Sequence, residues 1–179
     1  MSEVLLEVEH LSVDFSTDAG RVRPVDDVSF SIRPGRTLGI VGESGCGKST
    51  TGLALMGLLP QPAGCVASGS VRLAGAELTA MTERELRGLR GAEMAMIFQD
   101  PTTALNPVYT VGAQITAVLR RHERLSRRSA RKSAIDMLAQ VGIPAPDRRI
   151  DDYPHALSGG MRQRAMIAMA LACRPKLLI

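Results

Sequence analysis

Thr37-Leu38-Gly39-Ile40-Val41-Gly42-Glu43-Ser44-Gly45-Cys46-Gly47-Lys48-Ser49-Thr50 decides how the rest of this chain is read. Thr37 to Val41 is a short apolar run, which predicts a buried strand. Beyond Lys48 the pattern turns helical, with Leu55, Leu58 and Leu59 on one face. Between them, Gly42 to Ser49 matches G-x-x-x-x-G-K-[ST], a phosphate-binding loop framed by a strand and a helix. Gly42, Gly45 and Gly47 lack a Cβ, so the backbone can turn its N–H groups toward one phosphate. The helix start adds unpaired N–H donors and the positive end of a dipole. Lys48 supplies a mobile charge for the β- and γ-phosphates, and the Ser49 hydroxyl is placed for Mg2+. Glu43, Ser44, Cys46 and Thr50 complete the stretch predicted to touch the nucleotide. A glycine-rich turn that merely caps a helix would need neither the strand before it nor Lys48.

A chain of 179 residues is long enough for one domain with a sizeable core. Its net charge of +4 and pI near 9.3 are mild. The densest basic run is Arg120 to Lys132, with Arg120, Arg121, Arg124, Arg127, Arg128, Arg131 and Lys132. Such a run can meet nucleic acid or anionic lipid. No aromatic residue interleaves to stack on bases, so the expectation is a solvated helix–loop–helix surface and no nucleic-acid partner. Cys46, Cys65 and Cys173 are widely spaced and form no C-x-x-C pair, which points to a reducing compartment and away from disulfides or zinc. Met1 to Glu7 carries early acids, unlike a signal peptide. The apolar run Ala165 to Cys173 is far short of the ~20 residues that span a bilayer. A cytosolic chain is expected, linked to any membrane through partners.

Leu5 to Phe15 alternates as a half-exposed strand does. A turn at Thr17 to Gly20 and a strand at Val25 to Ile32, closed by Pro34-Gly35, complete an expected antiparallel pair beside the Thr37–Val41 strand. Pro60 to Gly69 reads as a loop and Ser70 to Leu73 as a short strand. Thr82 with Glu85 forms a capping-box pattern for a helix to Leu89. Met94 to Phe98 reads as a buried strand ending at Gln99. Val111 to Arg121 and Ser129 to Val141 are amphipathic helices, the second stopped by Gly142 and Pro144. Pro144 to Asp152 is expected to be loop. Ser158 caps a helix from Gly159 to Cys173, and Leu177-Leu178-Ile179 opens another buried strand. No internal repeat is present.

Leu157-Ser158-Gly159-Gly160-Met161-Arg162-Gln163 is the second constellation: a serine cap and two glycines at a helix start, a further phosphate-sized nest. Together with the Gly42–Ser49 loop, this string resembles the signature of ABC-transporter ATPases. The resemblance implies an α/β P-loop NTPase fold of the ABC type, with an antiparallel β subdomain and a helical signature subdomain. The implied division is 1–99, 100–160 and 161–179, with the core sheet truncated at the end. It implies that Ser158, Gly159, Gly160 and Gln163 close over ATP held by the loop of a second subunit. Gln99 matches the glutamine that touches Mg2+ and the attacking water. Phe15 matches the aromatic that stacks on adenine, and Val25 an apolar position beside the base.

Met96-Ile97-Phe98-Gln99-Asp100-Pro101, Ala104-Leu105-Asn106-Pro107, Thr110 to Ile115 and Tyr153-Pro154-His155 resemble the oligopeptide/dipeptide permease branch, with nickel and glutathione importers as relatives. The implied partners are a second ATPase subunit, transmembrane permease subunits and, indirectly, an extracytoplasmic solute-binding protein. The implied place is the cytoplasmic face of the bacterial inner membrane. In that family the strand opening at Leu177 continues to an Asp and a Glu, with a switch His later. The chain is therefore expected to be the front portion of a longer ATPase, inactive alone. A P-loop kinase or GTPase would not need Leu157–Gln163. A soluble ABC protein of repair or translation would show zinc cysteines or coiled-coil insertions. A non-catalytic nucleotide-binding remnant is the remaining alternative.

Overall fold

The computed structural model describes residues 4–100 and 104–179. Met1 to Glu3, with the first acid of the N-terminus, and Pro101 of the Met96–Pro101 string lie outside the described residues. Two compact units part between Arg87 and Gly88.

The first unit is built on a four-stranded antiparallel sheet in the order β2-β1-β3-β4. Its strands are β1 (Leu6–Thr17), β2 (Gly20–Ile32), β3 (Gly64–Leu73) and β4 (Ala76–Glu77). β1 pairs on both sides, so its Leu6, Val8, Leu11 and Val13 are almost fully buried. β2 is an edge strand and can hold Pro24, which has no N–H to give a ladder. Its register against β1 shifts between Leu11↔Val28 and Val13↔Val25. The Ser12 hydroxyl accepts from the Asp27 N–H at 3.0 Å within this bulge. The extra residue puts Val25 on the same face as Val28, Phe30 and Ile32, the face whose side chains are buried or half-buried.

Three expectations for this unit are corrected. Thr37 to Val41 has no regular secondary structure and pairs with no strand among the described residues, and Leu38, Ile40 and Val41 are 42%, 47% and 90% exposed. An apolar run becomes a buried strand only where neighbours accept its backbone bonds, and none does here. Pro60 to Gly69 is not all loop, because β3 begins at Gly64, where Phe15↔Gly64 and Val13↔Val66 continue the ladder. Long-range pairing there overrides a glycine-rich local signal. Helix α1 spans Lys48–Leu55, so Leu58 falls past its end, while Leu55 and Leu59 are buried. The capping box forms as read: in α2 (Glu83–Leu89), Glu85 accepts from the Thr82 N–H at 2.7 Å and Thr82 Oγ1 accepts from the Glu85 N–H at 3.4 Å.

The second unit is mainly helical, with α3 (Val111–His122), α4 (Arg127–Gln140), α5 (Pro146–Arg149) and α6 (Gly159–Leu171). β5 (Met94–Ala95) and β6 (Leu177–Leu178) form a parallel pair. The strand expected over Met94–Phe98 is this short, and Phe98 is 40% exposed. Val111, Ile115 and Leu119 of α3, Ala130, Ala134 and Leu138 of α4, and Ala165 and Ala168 of α6 share one core. Alanine at i and i+4 lets α4 lie close to its neighbours, while the larger Ile135 and Val141 are only partly buried at the edge of that core. α4 starts at Arg127 rather than Ser129 because Ser126 caps it, accepting from the Ser129 N–H at 3.2 Å. α5 occupies part of the segment expected to be loop. No helix is long and apolar enough to cross a membrane among the described residues.

Candidate functional site

In the first unit, the Gly42–Ser49 loop leads into α1 with a left-handed residue at the cap: Gly47 has φ 92°. A Cβ on Gly47 would stand 2.3 Å from the Pro24 carbonyl oxygen. Glycine is required twice there, by φ and by contact with β2. Thr51 locks the turn from within the helix: its Oγ1 donates to the Gly47 carbonyl at 3.0 Å and its N–H to the same oxygen at 2.8 Å. Lys48 folds over the loop, its Nζ donating to the carbonyl oxygens of Gly42 at 2.8 Å and Glu43 at 2.5 Å. Cys46 Sγ lies 3.5 Å from the same ammonium. Ser44, Gly45, Cys46 and Ser49 are exposed, and Thr50 is half-buried.

A cavity of about 570 Å3 opens between this loop and β2, within the usual range for small-molecule sites. Lys48, Cys46 and Thr51 line it from the loop side, Val25, Val28 and Phe30 from β2, and Val41 from the segment before the loop. Val25 therefore stands beside the loop. Phe15 does not line this cavity; its ring lies against Gly64, where an added Cβ would meet it at 2.8 Å. Pro24 and Thr51 were not singled out in the sequence. Neither belongs to the loop motif, and only the fold brings the Pro24 carbonyl to Gly47.

In the second unit, a short 3-10 turn at Pro154–Ala156 buries Pro154 and delivers Leu157 into the core. Ser158 then caps α6, its hydroxyl accepting from the Met161 N–H at 3.3 Å. Gly159 and Gly160 are exposed, with open space where a Cβ would be. Gln163 is exposed one turn on, and Gln99 is exposed beyond β5.

The loop's chemistry fits a nucleotide phosphate and its metal. Gly45 is exposed with open space where a Cβ would be, Lys48 lines the cavity beside the N-terminus of α1, and the exposed Ser49 hydroxyl has no hydrogen-bond partner among the described residues. The ABC transporter family profile matches residues 25–179. The chain belongs to the ABC transporter ATP-binding family. The dipeptide transport ATP-binding protein DppD of Escherichia coli (strain K12) is 54% identical over 175 residues, covering 98% of this chain and 53% of its own length. The oligopeptide transport ATP-binding protein OppD of Bacillus subtilis (strain 168) is 50% identical over 175 residues, covering 98% and 49%. This ABC chain thus spans about half the length of the curated relatives it matches. The dimeric structure of MJ0796, a bacterial ABC transporter cassette, superposes with a TM-score of 0.84 at 24% identity, covering 97% of this chain and 72% of that one. The same fold recurs in MJ0796 bound to ADP and Pi, also at a TM-score of 0.84. The α/β ABC cassette fold is thereby the fold of this chain.

Proposed function

We propose that the protein carrying this chain binds Mg-ATP at the Gly42–Thr50 loop and hydrolyses it to drive import of peptides, or a related solute, through a membrane permease. One observation carries the reading: Lys48, the first residue of α1, lines a cavity of about 570 Å3 while its Nζ folds back over the glycine loop onto the Gly42 and Glu43 carbonyls. Identity of 50% to OppD and 54% to DppD supports the peptide class of solute.

The residues divide the work. Backbone N–H groups from Gly45 to Ser49 bind phosphate oxygens, with Lys48 adding charge where negative charge builds in the transition state. Val25 takes an apolar edge of the base, and Phe15 is the aromatic proposed to stack on it. Ser49 would hold Mg2+, which would supply positive charge to the phosphates; Gln99 keeps the metal-contacting role that the resemblance implies. Ser158, Gly159, Gly160 and Gln163 complete the site of a second subunit, so that ATP favours the closed pair and hydrolysis reopens it. The proposed place is the cytoplasmic face of a bacterial membrane, against permease subunits that receive solute from a binding protein.

Lys48→Ala tests the site. Removing charge-assisted bonds of about 1.5–3 kcal/mol each should weaken ATP binding about ten-fold or more, read by nucleotide titration. Equal affinity in wild type and variant would overturn the reading.

A further inference from the structure

The basic run Arg120–Lys132 lies on an exposed helix–loop–helix, as the sequence predicts, and some of its arginines also converge. Arg120 closes α3, while Arg127, Arg128 and Arg131 open α4, and all four line one groove of about 680 Å3 between those helices. Arg131 is committed, its guanidinium gripping Asp151 through two bonds of 2.8 and 2.7 Å. Asp151 is the one carboxylate lining the groove among the described residues. Arg120, Arg127 and Arg128 are exposed and have no ion-pair or hydrogen-bond partner among the described residues.

The position of two of these charges is costly. Arg127 and Arg128 occupy the first turn of α4, which holds no acid. The positive end of the helix dipole sits there and favours anions over cations. Adjacent like charges against that dipole raise the local potential, and a bound anion would relieve every term at once. The opposite wall of the groove is Ala113 and Ala117 of α3, short enough to leave room for one.

We propose that this groove is a binding site for a phosphate-bearing anion, held by Arg120, Arg127 and Arg128 beside the Arg131–Asp151 pair. Guanidinium forks match phosphate oxygens two at a time. No aromatic side chain lines the groove to stack a base, and its volume suits a small group rather than a polymer. The phosphate can come from a soluble polyphosphate or from a phospholipid headgroup.

The test uses the purified protein carrying Lys48→Ala, so that the loop does not compete. Pyrophosphate is titrated by calorimetry, and flotation compares phosphatidylglycerol with phosphatidylcholine vesicles. Arg127→Glu with Arg128→Glu should weaken the binding about ten-fold or more. The same pair should leave Tm unchanged or raise it, because acids suit a helix N-terminus. Loss of pyrophosphate binding identifies a soluble ligand, and loss confined to phosphatidylglycerol vesicles identifies a headgroup. Should Tm fall instead, Arg120→Gln on the other helix decides by the same loss of binding. The proposal is overturned if neither probe binds, or if binding is unchanged in these variants.

Discussion

Asp14 is a carboxylate that the first unit buries, 2% exposed on β1. Arg23 of the neighbouring strand donates to it from Nε at 2.8 Å, and Arg21 pairs with its other oxygen. The Arg23 bond above all, and then Arg21, hold its carboxyl below the ordinary aspartate value of 3.8. A depressed native value means that the unfolded chain binds the proton first. The stabilisation is therefore complete above 3.8 and is lost as pH falls through the lower native value. Denaturant midpoints followed from about pH 6 to about pH 2 should drop more steeply in wild type than in Asp14→Asn. Parallel curves would remove the linkage. At this scale the loop residues were legible because glycine spacing and a lysine have one common physical use. Thr51 and Pro24 were not, since a hydroxyl bonding back one turn and a carbonyl across a strand leave no local mark. Nor does the sequence show that Lys48 Nζ turns onto the carbonyls of Gly42 and Glu43.

Helix α3 shows how elements are held to one another. Gly112 lies in its first turn, and its N–H donates to the Ile150 carbonyl at 2.8 Å. A Cβ there would stand 2.1 Å from Ile150 Cγ1 and 2.6 Å from that carbonyl oxygen. Alanine would gain up to ~1 kcal/mol of helix propensity. The side chain of Ile150 can move, but its bonded backbone oxygen cannot without breaking the contact. Overpacking of about 1–3 kcal/mol should win, so Gly112→Ala is expected to lower the denaturant midpoint with an unchanged slope. A midpoint at or above wild type would show that the helix start yields. The elements themselves were largely legible. α3 and α4 carry 3.6-residue periods, and α3, α4 and α6 all begin with serine or threonine caps, which act locally. β3 was read six residues short, from Ser70 instead of Gly64, because Gly64 to Gly69 is strand only through its pairing with β1. α5 was missed because four residues opening with Pro146 carry no period.

For the molecule as a whole, the family was legible from two loops far apart in sequence, Gly42–Ser49 and Leu157–Gln163. The profile match over residues 25–179 and the fold likeness at a TM-score of 0.84 agree with that reading. Less legible was which backbone finds partners. β1 has a strand on each side, whereas Thr37 to Val41 has none among the described residues. This contrast sets a clock on the amide protons. In D2O, the amides of Val8 and Val13 should outlast those of Leu38 to Val41, which should exchange within the dead time of a manual mix. Mass spectrometry of peptic fragments resolves the two segments, and slow exchange at Leu38–Val41 would contradict the unpaired backbone. The open groups also offer a rung to any extended peptide that drifts alongside, with Leu38 and Ile40 as adhesive. Concentrated solutions of the chain should therefore thicken into β-rich assemblies seeded at this segment, and a lysine at position 40 should delay them.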